Sequence, residues 1–389
     1  DTLRPGGAQR ALVEIANQTL SAGADVSVCV TRGGCDMAAQ LKTGVPACVL
    51  ERTRRFDWAA IRRFARWVQQ QKPDVIHSHG RTTLSFLVFV KTLGLIRQPL
   101  VMHDHTGKAR RDTSAPLWFR ALARRHIAHY VGVCAEMDGW AERSGIPSGR
   151  RSLIPGALDL RNCPNSVVRA SGVRVTAPGL RAKFDMRREF RVSQDALLGV
   201  CLGGVRPEKG IDILLAAVAQ SSRRGAFKIV VVGGVRDQKY WNDCQRETNR
   251  LGLENEVFFA GERTDVHTWL DRFDFAVHAA RSESGPLAVI EHLAAGLPLV
   301  STHIGGIAQR AAELGVERFV PPDDSAALAA AIDELLSSTP RQLSERARIG
   351  KQIALNHFDI RAVMPAWRRV YEKVAQREFP EPRAAETAA

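Results

Sequence analysis

The chain has 389 residues, 25% charged and 45% hydrophobic, with no run of about 18 apolar residues, and an unexported protein without a charged-then-apolar leader is expected. That length and apolarity can bury two full cores, which excludes a disordered tail or a mini-protein and leaves two globular domains as the expectation. The net charge of +14 is uneven: residues 1–160 hold 23 Lys+Arg against 13 Asp+Glu, so the N-terminal half carries most of a basic excess that attracts nucleic acid, anionic lipid or phosphorylated substrates.

In chain order, a loop (DTLRPGGAQ) runs into a helix predicted from about Ala8 to Leu20, with no strand before it. Doubly wound halves usually place their first strand centrally, so a strand preceding Asp1 is expected to be missing from this sequence. β-Branched runs then alternate with helical patterns. They fall at Val26–Thr31, Val45–Leu50, Asp74–His77, Leu100–His103 and Tyr130–Cys134, and again at Leu197–Leu202, Lys228–Val232, Val257–Ala260, Phe273–Val277 and Leu299–Thr302. Strand and helix alternating in this way predict an α/β protein whose parallel sheets are covered by helices. Residues 161–195 break the rhythm with Pro, Gly, Ser and Arg and are expected to be a linker or insertion. The expected layout is a domain over 1–160, that linker, a second domain over 196–360, and a last helix and tail over 361–389. The two doubly wound, Rossmann-like domains are expected to face a cleft.

Seven cysteines, Cys29, Cys35, Cys48, Cys134, Cys163, Cys201 and Cys244, form no CxxC or Cys/His cluster. Their odd number argues against a complete disulfide framework, and reduced thiols in a cytoplasmic protein are expected.

The segment Ala280–Val300 (ARSESGPLAVIEHLAAGLPLV) is the most informative for chemistry. Glu283 follows a predicted strand, Gly285 and Pro286 read as an N-cap and first helical position, and Glu291 falls in the second turn. Open α/β sheets bind ligands at the C-terminal ends of their strands. Carboxylates there suit sugar and ribose hydroxyls, beside a helix N-terminus able to hold a diphosphate. Val289, Ile290, Leu293 and Ala294 surround Glu291 with core positions, which disfavours a merely solvated carboxylate. The second segment, Leu202 to Ala217, has glycines at a strand end, then Arg206, Lys209 and Gly210 before a helix. Two cations so placed can neutralise a pyrophosphate, although taken alone a basic turn is more often a solvated surface.

These segments resemble the retaining, nucleotide-sugar-dependent glycosyltransferases of the GT-B fold, family 4. The resemblance spans the chain: Gly6–Gly7, the run Asp74–His79 (DVIHSH), Val101–Asp104 (VMHD), Leu153–Asp159 (LIPGALD), Lys209–Gly210, Val230–Gly234 (VVVGG), Val257–Gly261 (VFFAG), Glu283 to Glu291, and His303–Gly306 (HIGG). It implies that Glu283, with the neighbouring Ser284 and Gly285, lies near the donor sugar, that Glu291 binds the ribose hydroxyls, and that Lys209 holds the diphosphate. It implies too that Gly6 and Gly7 approach the phosphates and acceptor, and that His103 lies close to the reacting sugar. Three positions depart from the family: Gly204 stands where an arginine is common, so that Arg206 would have to reach the phosphate, Gly156 where asparagine is usual, and Gln309 where an acid is usual.

The chemistry so implied is transfer with retention, the diphosphate leaving while Lys209, Arg206 and helix N-terminal amides stabilise its charge. No metal or other cofactor is expected: Asp323–Asp324 read as a solvated loop before a helix starting near Ala326. His103 is read as orienting the sugar, with a strand-end histidine satisfied by backbone as the alternative, and His77, His79 and His105 flank the same strand ends. Trp58, Ile61, Phe64, Trp67 and Val68 recur at helical spacing among Arg62, Arg63 and Arg66, and Trp118 and Leu122 recur among Arg120, Arg124 and Arg125. Such stripes are usually core, the rival being peripheral contact with an anionic membrane. Lys108, Arg110 and Arg111 suit a phosphorylated acceptor such as a lipopolysaccharide core. The partners expected are a nucleotide-sugar donor, with a UDP-sugar first, and a glycan or lipid-linked acceptor in envelope or exopolysaccharide assembly. A nucleotide-sugar epimerase of the same fold is the alternative. A basic nucleic-acid-binding protein is the remote alternative, and nucleic acid is not expected as a partner, since no recognised binding motif accompanies the charge.

Overall fold

The computed structural model describes residues 1–54, 56–105, 117–161, 167–168, 174–175, 186–193, 196–263, 266–313 and 318–380. Lys108, Arg110, Arg111 and Cys163, and the side chains of Trp118 and Gln309, lie outside the described residues. The chain divides into two compact units: Asp1–Asp159 joined by the segment from Asp359 onward, and Leu160–Phe358.

In the first unit, β1 (Val28–Val30) and β2 (Ala47–Val49) pair in parallel. A separate parallel sheet runs β3 (Ile76–His79), β4 (Leu100–His103), β5 (Ile127–Gly132), β6 (Arg151–Leu153) in that order. The helix Trp58–Gln71 starts at Asp57, whose carboxylate accepts from the Ala60 N–H at 3.0 Å, and stops at Lys72 in the left-handed conformation. Its apolar face settles most of the aromatic stripe. Ile61, Phe64 and Val68 are buried in one core with Leu84, Leu100 and Tyr130, and Trp67 packs on it. Trp58 stays 53% exposed. The sheet's other face is closed from the far end of the sequence. In the helix Ile360–Ala375, Val363, Met364 and Trp367 pack against Val101, Val131 and Ile154. Leu158 and Asp359 form a parallel bridge, and the Ile360 N–H donates to the Leu158 carbonyl at 2.8 Å. The last helix is therefore part of the first unit.

The second unit carries a short antiparallel pair, β7 (Val167–Val168) and β8 (Arg174–Val175), inside the segment expected to be a linker. Its main sheet is wholly parallel, in the order β11 (Val257–Gly261), β10 (Phe227–Val232), β9 (Leu197–Leu202), β12 (Phe275–His278), β13 (Leu299–Thr302), β14 (Arg318–Val320). From β9 the chain steps outward through β10 to β11, then returns to the other side of β9. The order reverses between β9 and β12, and such reversals leave a crevice at the strands' C-terminal ends. The central strands read as continuous apolar runs because helices cover both of their faces. Leu198, Val200, Ile229, Val230, Ala276 and Val277 have no exposed surface.

One glycine locks the crevice. Gly210, between the β9 turn and the helix Ile211–Gln220, has φ +62°, and a Cβ there would sit 2.1 Å from the Ala279 carbonyl oxygen just beyond β12. Any side chain would force the β9 and β12 loops apart as well as straining the backbone. Gly210→Ala should therefore lower the stability of this unit by roughly 2–4 kcal/mol. The check is the midpoint of urea unfolding, and an unchanged midpoint would show that the loops relax freely.

Candidate active site

The crevice is built by two loops. Beyond β9, Gly203 and Gly204 lead to Arg206, a 3-10 turn over Pro207–Lys209, and Gly210. Beyond β12, residues 279–286 lead to the helix Leu287–Ala294. Because β9 and β12 are hydrogen-bonded neighbours, both loops leave the same sheet edge side by side. Lys209 Nζ stands 2.5 Å from Glu283 Oε1, with the two side chains 13% and 12% exposed. The contact is one of charge, because Glu283 Oε1 accepts no aligned hydrogen bond among the described residues. Gly203 makes room for the lysine: a Cβ there would lie 2.9 Å from Lys209 Cδ and Cε.

The frame holding this pair together was not singled out by the sequence reading. Arg281 donates to both Asp212 oxygens at 2.6 and 2.5 Å and to the Pro207 carbonyl at 3.0 Å, while its own N–H donates to the Glu208 carbonyl at 2.8 Å. Its Nε donates to Asp323. Tyr240 Oη donates to Asp212 at 2.5 Å. One guanidinium thus ties the lysine-bearing turn to the glutamate-bearing loop through a bidentate clamp, the strong form of a charged hydrogen bond. Burial pushes the Asp212 carboxyl up, but the hydrogen bonds from Arg281 and Tyr240 outweigh it and hold the group below its ordinary value. The same hydrogen bonds, donated by Arg281 to Asp212, raise Arg281. Asp323 lies in an exposed loop, as expected, and from there accepts from Arg281. Asp324 caps the helix Ser325–Ser337 by accepting from the Ala327 N–H at 2.8 Å.

Gly285 is not the N-cap expected: Pro286, with extended ψ of 96°, caps the helix, which begins at Leu287. Proline's missing N–H is harmless at either place, so sequence alone could not fix the register. Ser284 is buried, and its carbonyl accepts from the Gly306 N–H at 2.9 Å, which seats the His303–Gly306 turn against the Glu283 loop. Glu291 lies in the helix's second turn, 7% exposed among Val289, Ile290 and Leu293. Arg206 remains 47% exposed, with Glu208 at 4.0 Å, and is not brought to the Lys209–Glu283 pair.

In the first unit, Gly6 and Gly7 form the N-cap and first residue of the helix Gly7–Ser21. That helix has neither a side-chain cap nor an acid in its first turn, so its N-terminal amides are uncapped by side chains. His103 ends β4, 1% exposed, with His77, His79 and His105 packed around it. The neighbouring Asp104 accepts from Arg81 at 2.9 Å and Tyr130 Oη at 3.0 Å.

A parallel six-stranded sheet whose strand order reverses at its centre defines a doubly wound unit, and two Rossmann-like α/β units define the GT-B class. Comparisons narrow this further. The family described as "Glycosyl transferases group 1" matches residues 197–338, and "Glycosyltransferase Family 4" matches residues 5–162. Glycogen synthase of Mycobacterium tuberculosis is 27% identical over 320 residues, covering 80% of this chain and 72% of that protein. The lipopolysaccharide core mannosyltransferase LpsB of Rhizobium meliloti is 25% identical over 45% of this chain and 51% of its own. Among solved structures, Anabaena HepE in complex with UDP-glucose superposes with a TM-score of 0.78 at 21% identity, covering 96% of this chain and 97% of that one. WaaG, a glycosyltransferase of lipopolysaccharide biosynthesis, gives 0.67 at 17% identity over 95% and 97%. The chain is a glycosyltransferase of the GT-B fold.

Two histidines near the lysine carry a stability consequence. Burial, and then the Lys209 charge, lower His278 to about 3 and hold His292 well below its ordinary value, with the His278 charge acting on His292 as well. Both nitrogens of His292 lack a partner among the described residues. Below pH 6.5 the unfolded chain takes up protons that these native imidazoles refuse, so stability falls as pH drops toward the native values. At pH 5.5 one such group costs about 1.4 kcal/mol. His292→Leu should flatten the decline of melting temperature between pH 7 and 5, and a slope identical to the parent's would refute the assignment.

Proposed function

We propose that the protein transfers a sugar, with retention, from a nucleoside-diphosphate donor, UDP-sugar first, to a glycan or lipid-linked acceptor in envelope, lipopolysaccharide or exopolysaccharide synthesis. The observation carrying this reading is the Lys209–Glu283 contact at the strand-order reversal of the second unit. Lys209 takes the diphosphate, Glu283 with Ser284 and Gly285 takes the sugar, and Glu291 takes the ribose hydroxyls. Arg206, on its exposed turn, adds charge to the diphosphate once it is bound. Gly6 and Gly7 offer uncapped amides to the phosphates, and His103 orients the sugar.

In the reaction, the anomeric C–O bond breaks with its electron pair going to the diphosphate oxygen. The acceptor hydroxyl forms the new bond on the same face, and its proton passes to the departing phosphate. The lysine ammonium and backbone amides meet the developing charge without rearranging, which is where preorganised electrostatics contributes most. This scheme needs no metal. Lys209→Ala should lower turnover by about 10² or more with KM changed less. Near-normal turnover in that variant would remove the lysine from the mechanism. Thermal-shift measurements across UDP-, GDP- and ADP-sugars identify the base, since the matched donor raises the melting temperature by mass action.

The acceptor reading includes a lipid surface. No helix among the described residues is long and apolar enough to cross a membrane. Phe56, just before the helix that carries the exposed Arg62 and Arg63, and Trp58, on that helix, are 56% and 53% exposed and meet the Phe89 ring edge-on and tilted. Aromatic rings next to arginines suit an anionic headgroup layer. Vesicles containing phosphatidylglycerol should sediment the protein at low salt, and Phe56→Ser/Trp58→Ser should reduce the bound fraction several-fold. No sedimentation at low salt would exclude the membrane from the reading.

A further inference from the structure

The histidines at the strand ends of the first unit have a geometry that sugar orientation by His103 alone does not use. His77 and His79 are two residues apart on β3 and so project from one face, and the sheet register sets His103 of β4 opposite His79. One ring nitrogen from each of the three lies within 4.8 Å of the other two.

The surroundings leave particular nitrogens free. His77 Nδ1 is 2.9 Å from Tyr371 Oη, and His79 Nδ1 is 3.1 Å from His105 Nε2. Each contact occupies one ring nitrogen and fixes the ring, as outer hydrogen bonds do for metal-bound imidazoles. The remaining nitrogens are the unusual ones. His77 Nε2 and both nitrogens of His103 are buried with no hydrogen-bond partner among the described residues. Buried polar atoms are nearly always satisfied, so three orphans in one cluster point to a missing partner. Burial is the main cause lowering all three histidines, with neighbouring imidazoles adding to it. They are therefore neutral near pH 7 and offer lone pairs.

We propose that His77, His79 and His103 form a three-imidazole binding site for a divalent transition metal of the Zn2+ kind. Two histidines alternating on one strand and a third on its neighbour bring three nitrogens toward one point, leaving a fourth position for water or a ligand. Nitrogens bound to one tetrahedral ion lie about 3.4 Å apart, so the rings have to close by about 1.4 Å at most, within reach of side-chain rotation. Hard cations do not suit the site. Its donors are imidazoles, and the adjacent Asp104 carboxylate is taken by Arg81 and Tyr130. The ring of Trp367, with its centroid 4.8 Å from that of His77 and 4.7 Å from that of His103, forms an apolar wall. The inference does not rest on the Lys209–Glu283 reading: it shares only His103 with the residues proposed to meet the donor, and it gives the metal no part in sugar transfer.

The test uses the full chain, stripped with a chelator, dialysed and titrated with Zn2+ in a calorimeter without any sugar nucleotide. One equivalent should bind, and His79→Ala and His103→Asn, each confirmed folded by circular dichroism, should weaken binding by at least about tenfold. No saturable equivalent, or a loss smaller than tenfold in both variants, overturns the proposal. Should the variants fail to fold, Co2+ bound to the parent chain decides the matter. Intense visible bands of a tetrahedral nitrogen site support the proposal, and the weak spectrum of octahedral aqueous-like Co2+ overturns it.

Discussion

The chemistry proposed for the second unit depends on a cation and a carboxylate, 74 residues apart in sequence, meeting where the strand order of one sheet reverses. A nearly dry Lys–Glu contact is not in itself a source of stability, because removing both charges from water costs about as much as their attraction returns. What the pair does have is a fixed place. Gly210 allows the β9 turn to press against the β12 loop, and the Arg281–Asp212 clamp stops either from drifting. A bound diphosphate would then find its counter-charge already in position, and Lys209 would exchange one anionic partner for another.

That division of labour explains what could be read in advance. Glu283, Lys209 and Glu291 were legible because each stands in a local pattern of strand, turn and helix start that a short window contains. Arg281 lies two residues before Glu283, yet its partners Asp212 and Asp323, and the Tyr240 that also donates to Asp212, are distant in sequence, and only the sheet order brings them together. No local spacing announces a clamp of that kind. Arg206 has a local setting comparable to that of Lys209, and its side chain is 47% exposed with Glu208 at 4.0 Å.

Strands followed the same logic. Leu100–His103, Leu197–Leu202 and Leu299–Thr302 coincide with the sequence reading because strands buried on both faces open on runs of apolar residues. Arg151–Leu153 and Arg318–Val320 were missed: each is a three-residue edge strand opening on arginine, too short to show any period. The histidines were noticed one at a time, as flanking groups. Their collective state, neutral and partly unpaired, follows from burial under Trp367 and Tyr371, which lie nearly 300 residues further along.

That last helix has a consequence for how the molecule is made. Since Leu160–Phe358 is interposed between two parts of the first unit, the ribosome delivers the whole second unit before the first has its closing helix. Residues 1–159 emerge earlier but must wait, with Val101, Val131 and the histidine cluster uncovered, until Trp367 has left the exit tunnel. Vectorial folding, usually N-terminal first, is here inverted for final consolidation. The nascent first unit is the stage at which exposed sheet surface is most open to chaperones and to misassociation.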